Sequence, residues 1–163
     1  MDGQAIWALV RDSGVLDVNS PYCYLILCKS FADTCLVAEQ DAEVVGFVTG
    51  YRPPSFSNVF FLWQIGVSEA ARGRGLGTAM VLSLLQRESF RDVSHLEATV
   101  TPSNLPSKRL FQSVARRLQA QLVEHPCFGT ELFPDGGHEP EHLIRIGPFD
   151  LIKSSTKEAQ WKR

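Results

Sequence analysis

The sequence predicts an α/β domain, and three features carry that prediction. Residues 59–67, Val-Phe-Phe-Leu-Trp-Gln-Ile-Gly-Val, make one long apolar run of the kind a strand buried on both faces shows. Shortly after it comes a glycine-rich turn, Arg72-Gly73-Arg74-Gly75-Leu76-Gly77. Met80, Val81, Leu84 and Leu85 then recur at helical spacing, which predicts a helix over 76–89. Strand, glycine turn and helix in that order place the turn at a helix N-terminus.

The other elements follow from the same patterns. Ile6, Leu9 and Val10 predict a first helix over 2–12, stopped by Gly14. Ser20 is a good N-cap and Pro21 a good first helical residue, so a second helix should run over 21–31. Cys35–Ala38 reads as a strand, 40–43 as its turn and Val44–Val48 as the return strand. Residues 52–58 contain Pro53 and Pro54, which cannot donate to a ladder, and are expected to form a loop. Leu96–Thr101 predicts a strand, and Leu110, Phe111, Val114 and Leu118 predict a helix over 104–119 with Asn104 as cap. Gln121–His125 and Leu143–Ile146 are shorter strand candidates, separated by a loop at 134–140. Residues 1–150 are expected to form a single domain, and 151–163 a polar, frayed tail.

Bulk properties narrow the function classes. A chain of 163 residues suits one domain with a core. Its net charge of −2 supplies no global field for nucleic acid, so none is expected as a partner. No apolar run approaches the roughly 20 residues that span a bilayer, and no signal peptide is apparent, so no membrane partner is expected. Cys23, Cys28, Cys35 and Cys127 lack metal-ligand spacing, so no metal is expected either. Reduced core cysteines fit a cytoplasmic protein.

The glycine turn is the first candidate site. Gly73, Gly75 and Gly77 allow a tight turn and close approach to main-chain N–H groups. The helix that follows offers unpaired N–H groups and a partial positive charge, to which Arg72 and Arg74 add full charges. A pyrophosphate suits this cradle. A P-loop is excluded, because Thr78-Ala79 follows Gly77 with no lysine, and GxGxG spacing is not the dinucleotide GxGxxG. The bland alternative is a strand–helix connection with two solvated arginines.

Arg72-x-x-Gly75-x-Gly77 resembles the Arg/Gln-x-x-Gly-x-Gly/Ala signature of the GCN5-related N-acetyltransferase superfamily. Asn104-x-x-Ser107-x-x-Leu110-Phe111 resembles that family's Asn-x-x-Ala-x-x-Leu-Tyr segment. The resemblance, which runs from residue 2 to about 148, implies a mixed, mostly antiparallel sheet splayed at its central strands, with helices on both faces. It implies acetyl-CoA as co-substrate, bound by Arg72, Gly73, Arg74, Gly75, Gly77 and Thr78, with Asn104 and Phe111 nearby. It also implies that the main chain of Ile65 and Val67 pairs with pantetheine. Phe111 departs from the family tyrosine taken to protonate the leaving thiolate, so another donor, or none, must serve. The family fold also begins with a strand before the first helix. That strand is expected to be missing here, and a longer chain carrying it is expected to melt higher.

Acetyl transfer needs a neutral amine, and deprotonating an aliphatic amine of pKa ~10 at neutral pH costs roughly 4 kcal/mol unless the site assists. Candidates for the acceptor side are Asp17 and Tyr22 between the first two helices, Trp63 mid-strand, His138 and Glu141 near the glycine-rich loop, and Arg52 for a substrate carboxylate. Glu97 stands in an apolar strand, where a carboxylate needs a partner or a task. Capping, core packing and surface exposure are the structural alternatives for these residues.

Residues 16–24, 50–54, 63–64, 96–102 and 136–141 look like segments of the diaminobutyrate acetyltransferases of ectoine biosynthesis. That resemblance implies L-2,4-diaminobutyrate as the acceptor, acetylated on its 4-amino group, and a homodimer as the assembly. On it, Asp17 and Tyr22 would bind the acceptor, and Glu97, or a water it holds, would take the proton with Tyr22 in the catalytic set. An acetyltransferase for another small diamine or amino acid, and a non-catalytic acetyl-CoA sensor, remain alternatives.

Overall fold

In the computed structural model, which describes residues 2–134 and 137–151, each helix begins where its capping chemistry allows. Helix α1 spans Gly3–Ser13 and ends at Gly14, whose φ of 64° is the left-handed stop glycine permits. Helix α2, Pro21–Ser30, is capped by Ser20, whose hydroxyl accepts from the Cys23 N–H at 3.3 Å. Helix α4, Leu105–Leu118, is capped by Asn104, whose Oδ1 accepts from the Ser107 N–H at 3.1 Å. Helix α3 spans Leu76–Leu85, shorter than the expected 76–89; its cap, Gly75, has no side chain to satisfy the first N–H groups.

The strands are β1 (Leu36–Gln40), β2 (Glu43–Tyr51), β3 (Val59–Val67), β4 (His95–Val100), β5 (Leu122–Phe128) and β6 (Glu141–Ile146). They form one sheet in the order β1-β2-β3-β4-β6-β5. Every pairing is antiparallel except β3 with β4. No strand precedes α1 among the described residues, and β1 stands at one edge of the sheet. Several strand boundaries moved as well. β2 runs on past Val48 to Tyr51, and β5 continues through Pro126 to Phe128 because it is an edge strand, where a missing N–H need not break a ladder. Of the remaining expectations, Asp135 and Gly136 in the loop and residues 152–163 in the tail lie outside the described residues.

Alternation along the strands sorts the core into two layers. Val48, Phe60, Leu62, Leu96, Ala98, Ile144 and Ile146 pack against α3 and α4 through Met80, Val81, Leu84, Phe111 and Val114. On the opposite face Phe47 packs with Ile6 and Val10 of α1 and Tyr24 and Leu27 of α2, with Trp63 at the margin. Helices therefore cover both faces. Toward β4 and β6 that second face changes character. With Leu96, Ala98 and Ile144 turned toward α3 and α4, the half-buried Glu97, Thr99 and Arg145 point the other way.

Candidate active site

Strands β3 and β4 pair only from Val59–Phe61 to His95–Glu97, then part. Beyond Phe61 the β4-facing edge of β3 keeps N–H and C=O groups without a ladder partner from β4, through the half-buried Ile65 and Val67. An extended amide chain laid in that gap would find donors and acceptors at strand spacing. The glycine turn lies at the end of the gap. Arg72 donates from Nε to the carbonyl of Val67 at 3.0 Å, tying the turn back to the strand. Gly73 and Gly75 have φ of 76° and 75°, and a Cβ on either would meet nothing within 4 Å. Backbone conformation, not space, demands glycine there. Gly77 is glycine for a different reason, since a Cβ would sit 2.6 Å from Cδ1 of Leu110 on α4. Exposed Arg74 and half-buried Thr78 flank the N-terminus of α3. Asn104 caps α4, and Phe111 lies in the core at 2% exposure, with no proton to offer.

The acceptor candidates fall into three groups. Asp17, His138 and Glu141 converge: His138 Nε2 lies 3.9 Å from Asp17 Oδ2 and 3.8 Å from Glu141 Oε1. His138 is stacked on Phe133 at 3.9 Å between ring centroids. Its Nδ1 lies 2.6 Å from the Glu139 carbonyl, and a carbonyl only accepts, so Nδ1 carries the proton and Nε2 faces the carboxylates. Oε2 of Glu141 is buried and has no hydrogen-bond partner. Desolvation pushes the Glu141 pKa up, as do the Asp17 and Glu139 charges, while hydrogen bonding from Thr99 and the His138 charge pull it down. Trp63 belongs to the same face, its ring stacked on Tyr24 at 6.5 Å.

Glu97 and Tyr22 form the second group, placed near that face with other surroundings. Glu97 faces Arg145 across the β4–β6 ladder and is ion-paired with it. Tyr22, on the first turn of α2, is 68% exposed. Arg52 stands apart, since its guanidinium donates to the carbonyls of Ser57 and Ser89 and pairs with Asp92, closing the β2–β3 loop. Its donors are used up between that loop and the α3–β4 connection.

Two polar residues outside the candidate set are built into this face. Tyr24 is fully buried and donates from its hydroxyl to Gln64 Oε1 at 2.9 Å, and Gln64 Nε2 donates to the Asp17 carbonyl at 2.9 Å. Gln64 points to this side because β3 carries an extra residue, Trp63, where Thr49 and Gly50 of β2 pair with Gln64 and Leu62. Nothing in a single sequence marks that bulge.

A splayed parallel strand pair, with a glycine turn leading into a helix at its end, defines the site of an acyl-CoA-dependent acetyltransferase. The chain matches the Acetyltransferase (GNAT) family over residues 5–115, more than half its length. Within that class, it belongs to the family of the L-2,4-diaminobutyric acid acetyltransferases. It is 47% identical to the enzyme of that name from Shouchella clausii over 148 residues, covering 91% of this chain and 83% of that one. It is 46% identical to the one from Virgibacillus pantothenticus, covering 91% of this chain and 93% of that one. Among solved structures, it superimposes on diaminobutyrate acetyltransferase EctA from Paenibacillus lautus, in complex with L-2,4-diaminobutyric acid and coenzyme A, with a TM-score of 0.87. That pair is 42% identical, with 91% and 90% of the two chains covered. A ribosomal-protein-alanine N-acetyltransferase from Brucella melitensis shares the fold at a TM-score of 0.68 and 20% identity.

Proposed function

We propose that this protein transfers the acetyl group of acetyl-CoA to the 4-amino group of L-2,4-diaminobutyrate, the acetylation step of ectoine biosynthesis. The observation that carries the reading is the convergence of Asp17, His138 and Glu141 beside a splayed strand edge. An acceptor with two ammonium groups suits a face holding two carboxylates, and the buried, unpartnered Oε2 of Glu141 offers a lone pair to one of them. Asp17 supplies the second negative charge, Trp63 an apolar wall, and His138 the link between the carboxylates. Tyr22 contributes from the rim.

Acetyl-CoA lies along Ile65–Val67 with its pyrophosphate on the Arg72–Thr78 turn, where uncapped N–H groups and two arginines complement its charge. Asn104 and Phe111 hold α4 in place beside it. The ammonium gives one proton to a carboxylate, the neutral amine nitrogen attacks the thioester carbonyl carbon, the C–S bond breaks, and the second proton leaves nitrogen through water for the departing thiolate. Glu141, whose proton affinity burial raises, is better suited to take the first proton than Glu97, whose Oε1 is bound to Arg145. A thiolate is a stable leaving group near neutral pH, as the cysteine thiol pKa of about 8.5 illustrates, so the CoA thiolate can depart before it takes up a proton.

The catalytic unit of this reading is residues 1–150, working in the cytoplasm, where Cys23, Cys28, Cys35 and Cys127 stay reduced. No helix among the described residues is long and apolar enough to cross a membrane. The assembly proposed is a homodimer, and light scattering tests it. The function itself is tested by mixing protein, acetyl-CoA and L-2,4-diaminobutyrate, following thiol release, and locating the acetylated nitrogen by NMR. Absence of acceptor-dependent thiol release would sink the reading in favour of an acetyl-CoA-binding sensor.

A further inference from the structure

Gln64 is 8% exposed, and every polar group of its side chain is used. Its Oε1 accepts from the Tyr24 hydroxyl and its Nε2 donates to the Asp17 carbonyl, each at 2.9 Å. Only one amide orientation satisfies both partners, because the Asp17 carbonyl cannot donate and must face the NH2 group. Its backbone carbonyl also accepts from Thr49 Oγ1 at 3.2 Å, which anchors the residue to β2. The chain of bonds therefore runs from the core of α2, through the bulge of β3, to the segment between α1 and α2.

Beyond the Ser13 hydroxyl, which accepts from the Val15 and Leu16 N–H groups, that segment has little else to hold it. Val15 and Val18 are 78% and 54% exposed, and the Asp17 side chain is 87% exposed. Leu16 packs at the edge of the α1–α2 core, and Asn19 Nδ2 bonds only locally, to the Asp17 carbonyl at 3.3 Å. Gln64 supplies the hydrogen bond that ties Asp17 to the sheet, and the Asp17 carboxylate faces His138 at 3.9 Å.

The geometry points to Tyr24 and Gln64 as positioning residues for the acceptor: they set the height and direction of Asp17 over the sheet without touching substrate themselves. This rests on the acceptor reading above. Because Gln64 sits at the bulge of the strand whose other edge faces the CoA gap, the same residue fixes the distance between the donor and acceptor halves of the site. The Asp17 carbonyl makes the amide orientation permanent, since rotating it would oppose two oxygens, and Tyr24, fully buried against Trp63, donates to the Oε1 so placed.

Two near-isosteric variants test this. Tyr24→Phe keeps the ring packing and removes the hydroxyl. Gln64→Glu keeps an acceptor for Tyr24 and replaces the donor facing Asp17. Each is expected to raise the Michaelis constant for diaminobutyrate about tenfold, the loss of one buried hydrogen bond, and to leave that for acetyl-CoA within about twofold. Thr49→Val is the control: it removes a buried bond to the same residue without interrupting the path to Asp17, and should lower the melting temperature without moving the acceptor constant. Amide hydrogen exchange over residues 15–19 should speed up in the first two variants while α3 is unchanged, whatever the substrate proves to be. Unchanged exchange in that segment, an unchanged acceptor constant, or an equal rise in both constants overturns the positioning role. Failure of the wild-type protein to acetylate diaminobutyrate overturns the function instead, and the exchange experiment still decides this inference.

Discussion

Glu97 and Arg145 face each other directly across the β4–β6 ladder and close an ion pair on the face where acceptor candidates gather. The Glu97 side chain is 15% exposed and that of Arg145 38%, so the pair is half-buried and only partly screened. Removing the cation alone leaves a mostly buried carboxylate without its partner. Arg145→Ala is therefore expected to destabilise the fold by about 1–3 kcal/mol, more than Glu97→Gln, which leaves the exposed member. Urea unfolding of both variants checks the order. In turnover, Glu97→Gln should keep a bell or limb of the same shape as wild type. A lost acidic limb in that variant would return the proton-accepting role to Glu97.

The glycine turn makes a second prediction, because the requirement at Gly73 and Gly75 is for a positive φ and not for space. An alanine at Gly75 must hold a left-handed conformation that costs roughly 1–2 kcal/mol, or else rotate the N–H groups that open α3. Gly75→Ala should raise the Michaelis constant for acetyl-CoA several-fold while that for diaminobutyrate stays put. Arg72→Ala should do the same more strongly, since it removes both a charge and the bond to the Val67 carbonyl. Steady-state kinetics with each substrate varied in turn gives the answer.

The pH dependence follows from Glu141. Its pKa is raised, chiefly by desolvation, so on acidification it takes up a proton sooner than an ordinary glutamate. The ionised form is the one that binds an ammonium and accepts its proton. Activity should thus fall as pH drops through the raised pKa, at a pH above the usual glutamate range, and Glu141→Gln should abolish most activity together with that limb. Stability carries the opposite sign. A carboxylate whose folded pKa is raised destabilises the fold above that pKa, so Glu141→Gln should not lower the neutral-pH melting temperature. Glu124, whose pKa is lowered by hydrogen bonds from Lys108 and then His142, instead stabilises the fold above its unfolded pKa. That contribution is lost as pH falls through its folded value. Melting temperatures of Glu124→Gln and wild type should converge toward acid pH.

What could be read from the sequence was what local chemistry decides. The Ser20 and Asn104 caps, the apolar run of β3 and the glycine turn each depend on residues within a few positions, and each was legible. The acceptor face depends on long-range partners. Gln64 bonds Tyr24 across 40 positions and Asp17 across 47, and only the bulge at Trp63 turns it toward them. Arg52 looked like a carboxylate ligand because its partners Ser89 and Asp92 are remote in sequence. β5 runs past its expected end at His125, through Pro126, because its edge position cannot be read from the strand itself.

Phe111 supplies the last test. It lies in the core with Val114 and Leu84 at 2% exposure, on the helix beside the CoA gap, where family members often carry tyrosine. If the reaction needed a phenol to protonate the leaving thiolate, restoring one should raise turnover. The position argues otherwise: a thiolate leaves without prior protonation, and an added hydroxyl would enter a packed apolar layer. Phe111→Tyr is expected to leave kcat and its alkaline limb unchanged, and to lower stability by about 1–3 kcal/mol through overpacking or an unsatisfied hydroxyl. A rise in kcat with a new alkaline limb would show that the missing acid limits this enzyme and that the hydroxyl reaches the sulfur. An unaltered rate in a destabilised protein would place Phe111 in the packing that holds α4 against the sheet.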